Sequence, residues 1–546
     1  MTNPGLDEAR SRSGRLVLRG GTVVDADGQR RADVAVADDR IVAVGEVEAE
    51  PGDRVIDCGA RLVLPGFVDA HSHADGLMRD DGVQRALLRQ GVTTVIAGQD
   101  GVSYAPGDGG YATEYFAAIN GPYAPFGGGG VADYLASVDG ASRLNAAYLI
   151  PAGTVRNTVC GRSRADADDE QLSAMVALVA SGMREGAVGL STGLDYVPGA
   201  FQSTGEIAAI CEPVATAGGV YVSHMRGGYE SNAAAGIQEM ASIAGLVRER
   251  TGVQLPVHVS HFHADADIVL GQLDVLERTG VDVTFDAYPY IRACTLLGMP
   301  LLPPELTVRP VADVVRVLQN ADERDRLRRE WFPLVTQNPS LGPQWPAMIT
   351  LAHVDAPAFA WAHGSTIEDA AETAGVDPID FALDMLAASG LRVNAVMAVR
   401  NARPVSELAR IFSHPAHVAG SDGIFIGAHP HPRGRGTFAR YLREYVRETG
   451  TWSWPDAVRH LSSTSVERFG LGDRGRVAGG AVADLVVVDP DAVADTATYE
   501  QPLGEATGID DVIIGGVQVL AGGELVDALP GCGLRRTARP AHEERG

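Results

Sequence analysis

Two histidines two residues apart, His71 and His73, lie near the end of the stretch PGFVDAHSHAD at 65–75. Side chains at i and i+2 of a strand point the same way, so both imidazoles can converge on one metal ion at the strand's carboxyl end. A pair of this kind also arises by chance on a surface, so by itself it is half a site. The same pattern recurs down the chain. Apolar runs stop at residues able to hold a metal: GVTTVIAGQD at Asp100, VYVSHMR at His224, VHVSHFH at His261, VTFDAYPY at Asp286 and HVAGSDG at Asp422.

With AAYLIPAG ending near Gly153 and AVGLSTG near Ser191, there are about eight β-like runs, the strand number of a (β/α)8 barrel. Helical stretches at 81–90, 169–185, 204–217, 231–251 and 268–279 separate most of them. Strands alternating with helices argue an α/β fold, a TIM-like barrel whose active site lies on the carboxyl-terminal rim, where all the candidate ligands fall. The segment 15–45 alternates apolar and polar residues between glycine turns, and ADLVVVDP and DVIIGGVQVLAGGELV do so after a helix-like stretch at 454–469. Neither end suffices alone, so both are expected to pair in one small β-sandwich domain. The expected division is 1–64 and 471–546 for that domain and 65–470 for the barrel. The connection from 290 to 417 is too long for one crossover. A lid-like insertion with helices of its own is expected at about 297–413, marked by GMPLLPPEL and NPSLGPQWP.

The 546 residues, 45% hydrophobic, can bury a large core and a smaller domain, and the net charge of −25 disfavours nucleic acid and anionic membrane surfaces as partners. A solvated acidic surface accounts for that charge equally well. The opening MTNPGLDEARSRSG lacks the apolar core of a signal peptide and no long apolar segment follows, so the expected location is cytoplasmic. Five scattered cysteines, Cys58, Cys160, Cys211, Cys294 and Cys532, form no CxxC pair and read as reduced and structural, with Cys294 near a rim loop. All 45 basic residues are arginine. That excludes a Schiff-base lysine, a phosphate-loop lysine and a carbamylated lysine bridging two metals. The GGGG run at 127–130 lacks the strand-to-helix setting of a nucleotide loop and reads as linker.

Taken together, PGFVDAHSHAD, GVTTVIAG, STGLDYVPG, VSHMR, VSHFH, DAYPY, GSDG and HPRGRGTF resemble the amidohydrolase superfamily and, within it, the N-acyl-D-amino-acid deacylases (D-aminoacylases). The resemblance covers most of the chain. It implies zinc-dependent hydrolysis of an N-acyl-D-amino acid to a carboxylate and a free D-amino acid. In that reading His224 and His261 hold one tightly bound zinc, His71 and His73 form the weaker neighbouring part with room for a second ion, and Asp422 is the essential carboxylate. The chemistry is compatible: zinc polarises a carbonyl and lowers the pKa of water toward ~7, while a carboxylate passes the proton to the leaving nitrogen.

Two departures stand at the site. Where the deacylases usually read GNCG with a cysteine ligand, this chain reads GQDG, so Asp100 replaces a thiolate with a harder carboxylate that can bridge two metals, or is a loop residue. Where they carry a lysine for the substrate carboxylate, VSHFH has His263. Arg433 in HPRGRGTF matches the carboxylate-binding arginine and can grip with two parallel hydrogen bonds. Arg292, after YPY, either adds charge or faces solvent. Tyr288 can donate to a developing oxyanion or simply pack. His258 alternates with His261 and is expected to face away as a structural residue. Of the histidines in and beside the insertion, His429 and His431 are near enough in sequence to Arg433 to line the pocket.

The expected partner is therefore a small acylated amino acid, with oligomeric state open. A hydrolase of another linear or cyclic amide or imide is the alternative, although hydantoinase-type chemistry usually needs the carbamylated lysine this chain cannot make. A metal-binding scaffold without catalysis is a third reading, against which stand Asp422, His224 and His261.

Overall fold

The eight apolar runs are the eight strands of one sheet in a computed structural model that describes residues 14–123, 125–338, 341–400 and 402–537. The segments 1–13 and 538–546, which carry the signal-peptide reading and the outer ends of the small domain, lie outside the described residues. The strands are β1 (Phe67–Asp69), β2 (Val92–Ala97), β3 (Asn145–Pro151), β4 (Gly189–Gly193), β5 (Val220–His224), β6 (Val257–Val259), β7 (Val283–Ala287) and β8 (His417–Ala419). They neighbour one another in chain order, all parallel. Between β1 and β8 the ring closes through Ala70 N–H donating to the Ala419 carbonyl (3.0 Å) and Asp422 N–H to the His71 carbonyl (2.7 Å).

Strands covered on both faces need apolar side chains on both, hence the unbroken runs. Every residue of β2 and β3 is buried. One face fills the barrel with Val68, Ile96, Leu149, Val222 and Val418, joined by Phe469, Leu471 and Leu534. The other meets the helices through Val95, Ile150, Tyr221, Val259 and Phe285. The expected helices are α1 (Asp81–Leu88), α2 (Asp169–Arg184), α3 (Thr204–Thr216), α4 (Ala233–Thr251) and α5 (Ala266–Arg278), each within two residues of its expected ends. Their starts are chemically marked: Asp80 caps α1, Ser203 caps α3, and Asp168 with Gln171 forms a capping box on α2.

Both chain ends share one seven-stranded sheet, in which Leu485–Val488 lies between Leu62–Pro65 and Ile509–Ile514. A four-stranded sheet of N-terminal strands shares a core with it, built from Leu16, Leu18, Val36, Val63, Leu485 and Ile513. The insertion has its own core around Leu301, Phe332, Trp345, Phe381 and Leu386. Besides helices it contains a three-stranded antiparallel sheet, Ala293–Leu296, Val393–Met397 and Ile349–Val354, which the sequence reading did not foresee. Its first strand begins at Ala293, so the departure from the barrel comes just before the expected 297.

Candidate active site

Each candidate ligand sits just beyond a barrel strand or at its last residue. His71 and His73 follow β1, Asp100 follows β2, His224 ends β5, His261 follows β6 and Asp422 follows β8. The backbone is bent hard at three of them: Asp100, His261 and Asp422 have φ of 54°, 32° and 48°, a region costly for residues other than glycine and typical of functional sites. The Asp100 turn depends on its glycines. A Cβ on Gly98 would stand 2.2 Å from the Leu149 carbonyl oxygen, and one on Gly101 2.7 Å from the Gly193 nitrogen. Asp75 braces the same turn, accepting from Gly98 N–H (2.8 Å) and the Ser103 hydroxyl (2.6 Å). Asp69 braces the opposite one, accepting from Ser421 N–H (2.7 Å) and the Ser421 hydroxyl (2.5 Å).

Asp100 lies at the centre of four imidazoles. Its Oδ1 is 3.5 Å from His71 Nε2 and 3.6 Å from His261 Nε2, and its Oδ2 is 3.6 Å from His73 Nε2 and 3.7 Å from His224 Nδ1. These atoms form two groups able to hold a metal, His71–His73–Asp100 and Asp100–His224–His261, which share the carboxylate. Asp422 faces the first group, its Oδ1 3.2 Å from His73 Nε2 and 3.8 Å from His71 Nε2. The donor set suits a divalent cation. Two ligand atoms about 2.1 Å from a tetrahedral ion stand about 3.4 Å apart, close to the separations here. His71 Nε2 and Asp100 Oδ1 are buried without a hydrogen-bond partner, an arrangement a cation between them would satisfy.

The electrostatics point the same way. Burial would raise the Asp100 carboxyl, but His71 and the other three histidines outweigh it and hold the group well below the usual range. Burial likewise opposes charge on His73 and His224, yet Asp100 with Asp422, and Asp100 with Asp195, push them up to about 10. Asp422 is also lowered against burial, by Arg433 first and then the histidines. The pocket favours positive charge at His71, His73 and His224, which protons and metal ions compete to supply.

A second layer orients the rings. Asp286 Oδ2 is 3.3 Å from His71 Nδ1, and its Oδ1 accepts the His261 N–H at 2.9 Å. Asn120 Oδ1 is 2.8 Å from His73 Nδ1, and Asp195 Oδ2 is 3.2 Å from His224 Nε2 while its Oδ1 accepts the Gly227 N–H. A partner on the far nitrogen fixes the tautomer and leaves the near nitrogen's lone pair for a metal. Asp286 stood out in sequence at the end of its strand and Asp195 sits within STGLDYVPG, but nothing in the residues around Asn120 announces it. The expectation for His258 is corrected. The chain turns at Ser260 and His261, so alternation does not carry past the strand, and His258 Nε2 reaches Asp286 Oδ2 at 2.9 Å.

Among the expected substrate-binding residues, Arg433 is fully buried, with Nη2 2.9 Å from Asp422 Oδ2 and its guanidinium 4.5 Å from the centre of the Tyr288 ring. Its Nε and Nη1 have no partner among the described residues. The His263 ring packs tilted against Tyr288, centroids 4.1 Å apart, and its Nε2 accepts the Tyr288 N–H at 3.1 Å. That bond requires a neutral ring with the proton on Nδ1, so His263 cannot bring the positive charge of the lysine it replaces. Arg292 stacks on Tyr499 at 4.1 Å. His431 spends both nitrogens on backbone, accepting from Arg433 N–H and donating to the Arg292 carbonyl, and His429 Nε2 is 2.7 Å from the Tyr499 carbonyl.

Comparison with known proteins agrees with this geometry. A family profile for amidohydrolases matches residues 54–520. An N-acyl-D-glutamate deacylase of Alcaligenes xylosoxydans xylosoxydans is 31% identical over 92% of this chain and 93% of its own length. The crystal structure of N-acyl-D-glutamate deacylase from Bordetella bronchiseptica, complexed with zinc and a phosphonate mimic of the tetrahedral intermediate, superposes with a TM-score of 0.78 at 28% identity, covering 96% of this chain and 100% of that one. A D-aminoacylase structure, described as having a binuclear metal centre activated by one metal and attenuated by a second, gives 0.75 at 29% identity over 95% and 99% of the two chains. The chain belongs to the amidohydrolase family, and it is a metal-dependent hydrolase of amide C–N bonds.

Proposed function

We propose that this amidohydrolase cleaves the amide bond of N-acyl-D-amino acids, releasing a carboxylate and the free D-amino acid, with zinc held by His224, His261 and Asp100 and a second ion position at His71, His73 and Asp100. The observation that carries the reading is Asp100 between the four imidazoles with the Asp422–Arg433 pair facing them. The similar deacylases support the D configuration and the amino-acid product.

Bound zinc would polarise the scissile carbonyl and make water acidic enough to attack it. Asp422 takes the proton from that water and delivers it to the amide nitrogen, which leaves only once protonated. Its lowered pKa keeps it ionised, and the Arg433 contact on Oδ2 leaves Oδ1 turned toward His73. Tyr288 donates to the oxyanion, while the unpaired Nε and Nη1 of Arg433 hold the substrate carboxylate. Asp286, Asn120 and Asp195 keep the imidazoles in register. Arg292 and His263 drop to supporting positions, one stacked on Tyr499 and the other bonded to the Tyr288 backbone.

The proposal keeps the division into a barrel at 65–470 and a small domain at 1–64 and 471–546, with a cytoplasmic location. Five free cysteines suit a reducing compartment. Among the described residues no helix is long and apolar enough to cross a membrane. The test is deacylation of N-acetyl-D- and N-acetyl-L-amino acids by zinc-loaded protein beside Asp422→Asn. D-selective release that disappears in the variant is expected. Metal-loaded protein that cleaves neither hand would overturn the reading.

A further inference from the structure

The loss of the lysine at 263 leaves a charge missing from the carboxylate pocket, and a residue outside every recognised motif stands where it could restore it. Arg403 lies in the segment that leaves the inserted module after Val393–Met397. That strand runs antiparallel to Ala293–Leu296, with Met397 opposite Ala293, which brings the exit of the module beside the loop following Tyr288. The Arg403 side chain is half-buried, and its Nε and Nη1 are fully enclosed yet have no hydrogen-bond partner among the described residues. Its positive charge is felt at Tyr288, where it works against burial by favouring the ionised phenol.

A guanidinium cannot shed its proton, so enclosed N–H groups without acceptors are a standing cost unless a ligand supplies the acceptor. Three residues carry enclosed donors without acceptors: Arg403 at Nε and Nη1, His263 at Nδ1, and Arg433 at Nε and Nη1, the last with its Nη2 3.5 Å from the Cys294 carbonyl on the strand that pairs with Val393–Met397. All five N–H-bearing atoms are donors, and an anion with two oxygens matches them.

We propose that Arg403 is a specificity-determining residue which, with Arg433, grips the substrate's carboxylate, supplying from the inserted module the positive charge that position 263 no longer carries. This rests on the acylated amino acid of the preceding section in one respect only, that the ligand has a free carboxylate beside its amide. The inserted module then contributes directly to binding, rather than merely covering the rim.

The test separates binding from turnover by using ligands that cannot be hydrolysed, N-methanesulfonyl-D-leucine and its primary carboxamide, titrated calorimetrically into metal-loaded protein. Wild type is expected to prefer the carboxylate, and Arg403→Gln to lose about 10- to 100-fold of carboxylate affinity, the scale of a charge-assisted bond, with carboxamide affinity unmoved. Arg403→Lys should keep most of the preference, and His263→Lys in the Arg403→Gln background should restore it. Thermal melting of each variant confirms folding. Equal weakening of both ligands, a preference undiminished in Arg403→Gln, or a wild type without preference would each overturn the assignment. If the preference behaves as expected but acetylated D-amino acids are not cleaved, the deacylase reading fails while the role of Arg403 stands.

Discussion

Replacing Asp100 by Asn is the sharpest perturbation of this site, because one carboxylate serves both groups of ligands. Each of its contacts with an imidazole spans 3.5–3.7 Å. At an effective dielectric of about 20, a unit charge pair at that distance is worth about 4–5 kcal/mol. The exposure of Asp100 is 3%, so solvent does little to reduce this. A cation held between those imidazoles and Asp100 loses at least that much when the carboxylate becomes a neutral amide, about three powers of ten in affinity. The loss must fall on both positions together. The assay is metal content by mass spectrometry after gel filtration, with chelator competition to resolve two affinities. Asp100→Asn should retain little of either ion, whereas His71→Asn should strip the position it shares with His73 and spare the one at His224 and His261. If Asp100→Asn keeps wild-type content and affinity, Asp100 is only a loop residue and the shared-ligand reasoning is wrong.

Asp422→Asn should lower kcat by roughly 10²–10⁴, the usual contribution of a general acid–base group, with metal content retained; a fall under tenfold in steady-state kinetics would remove it from proton transfer. Asp286→Asn takes the outer partner from His71 and should weaken metal binding on that side roughly 10- to 100-fold, read by the same chelator titration, and unchanged affinity would count against the orienting role. Asp100→Cys should keep zinc bound while reducing tolerance for manganese, since thiolate is the softer donor; equal manganese content in both proteins would contradict this. Burial holds His417 well below its ordinary pKa and lowers His460 as well. Both stay neutral when folded and take a proton on unfolding below about pH 6.5, so stability is present above that pH and falls as pH drops, by up to about 1.4 kcal/mol per unit for each histidine. Denaturant midpoints of metal-loaded protein at pH 7.5, 6.5 and 5.5, beside His460→Gln with its shallower slope, check the sign.

The barrel was legible because its strands are buried on both faces, so each is an unbroken apolar run, and because the candidate ligands sit where such runs stop. The same logic located His71, His224, His261 and Asp422. It could not find the sheet of the insertion, whose strand Ile349–Val354 pairs with Val393–Met397 across intervening helices and carries no tight hairpin turn. Strand alternation misplaced His258, since the period of two ends where the backbone twists at His261. Asn120 is a neutral amide that ends the short helix Ala117–Asn120, and only folding reveals that it faces His73. The vacancy left by lysine at 263 was visible in one dimension, but the nearness of Arg403 requires the inserted strand to be placed against Ala293–Leu296.

The shared sheet of the two chain ends also sets a timetable. Arg61 and Asp489, joined by a side-chain bond across this sheet, are 428 residues apart. At about 5–20 residues per second, the ribosome needs roughly 20–90 s to deliver the partner of Leu62–Pro65 after that strand has emerged. Throughout that interval an apolar edge, LVLP, stands without its neighbour, the kind of edge that recruits foreign strands. Expression yield at raised temperature should therefore depend on how this one strand is shielded during synthesis.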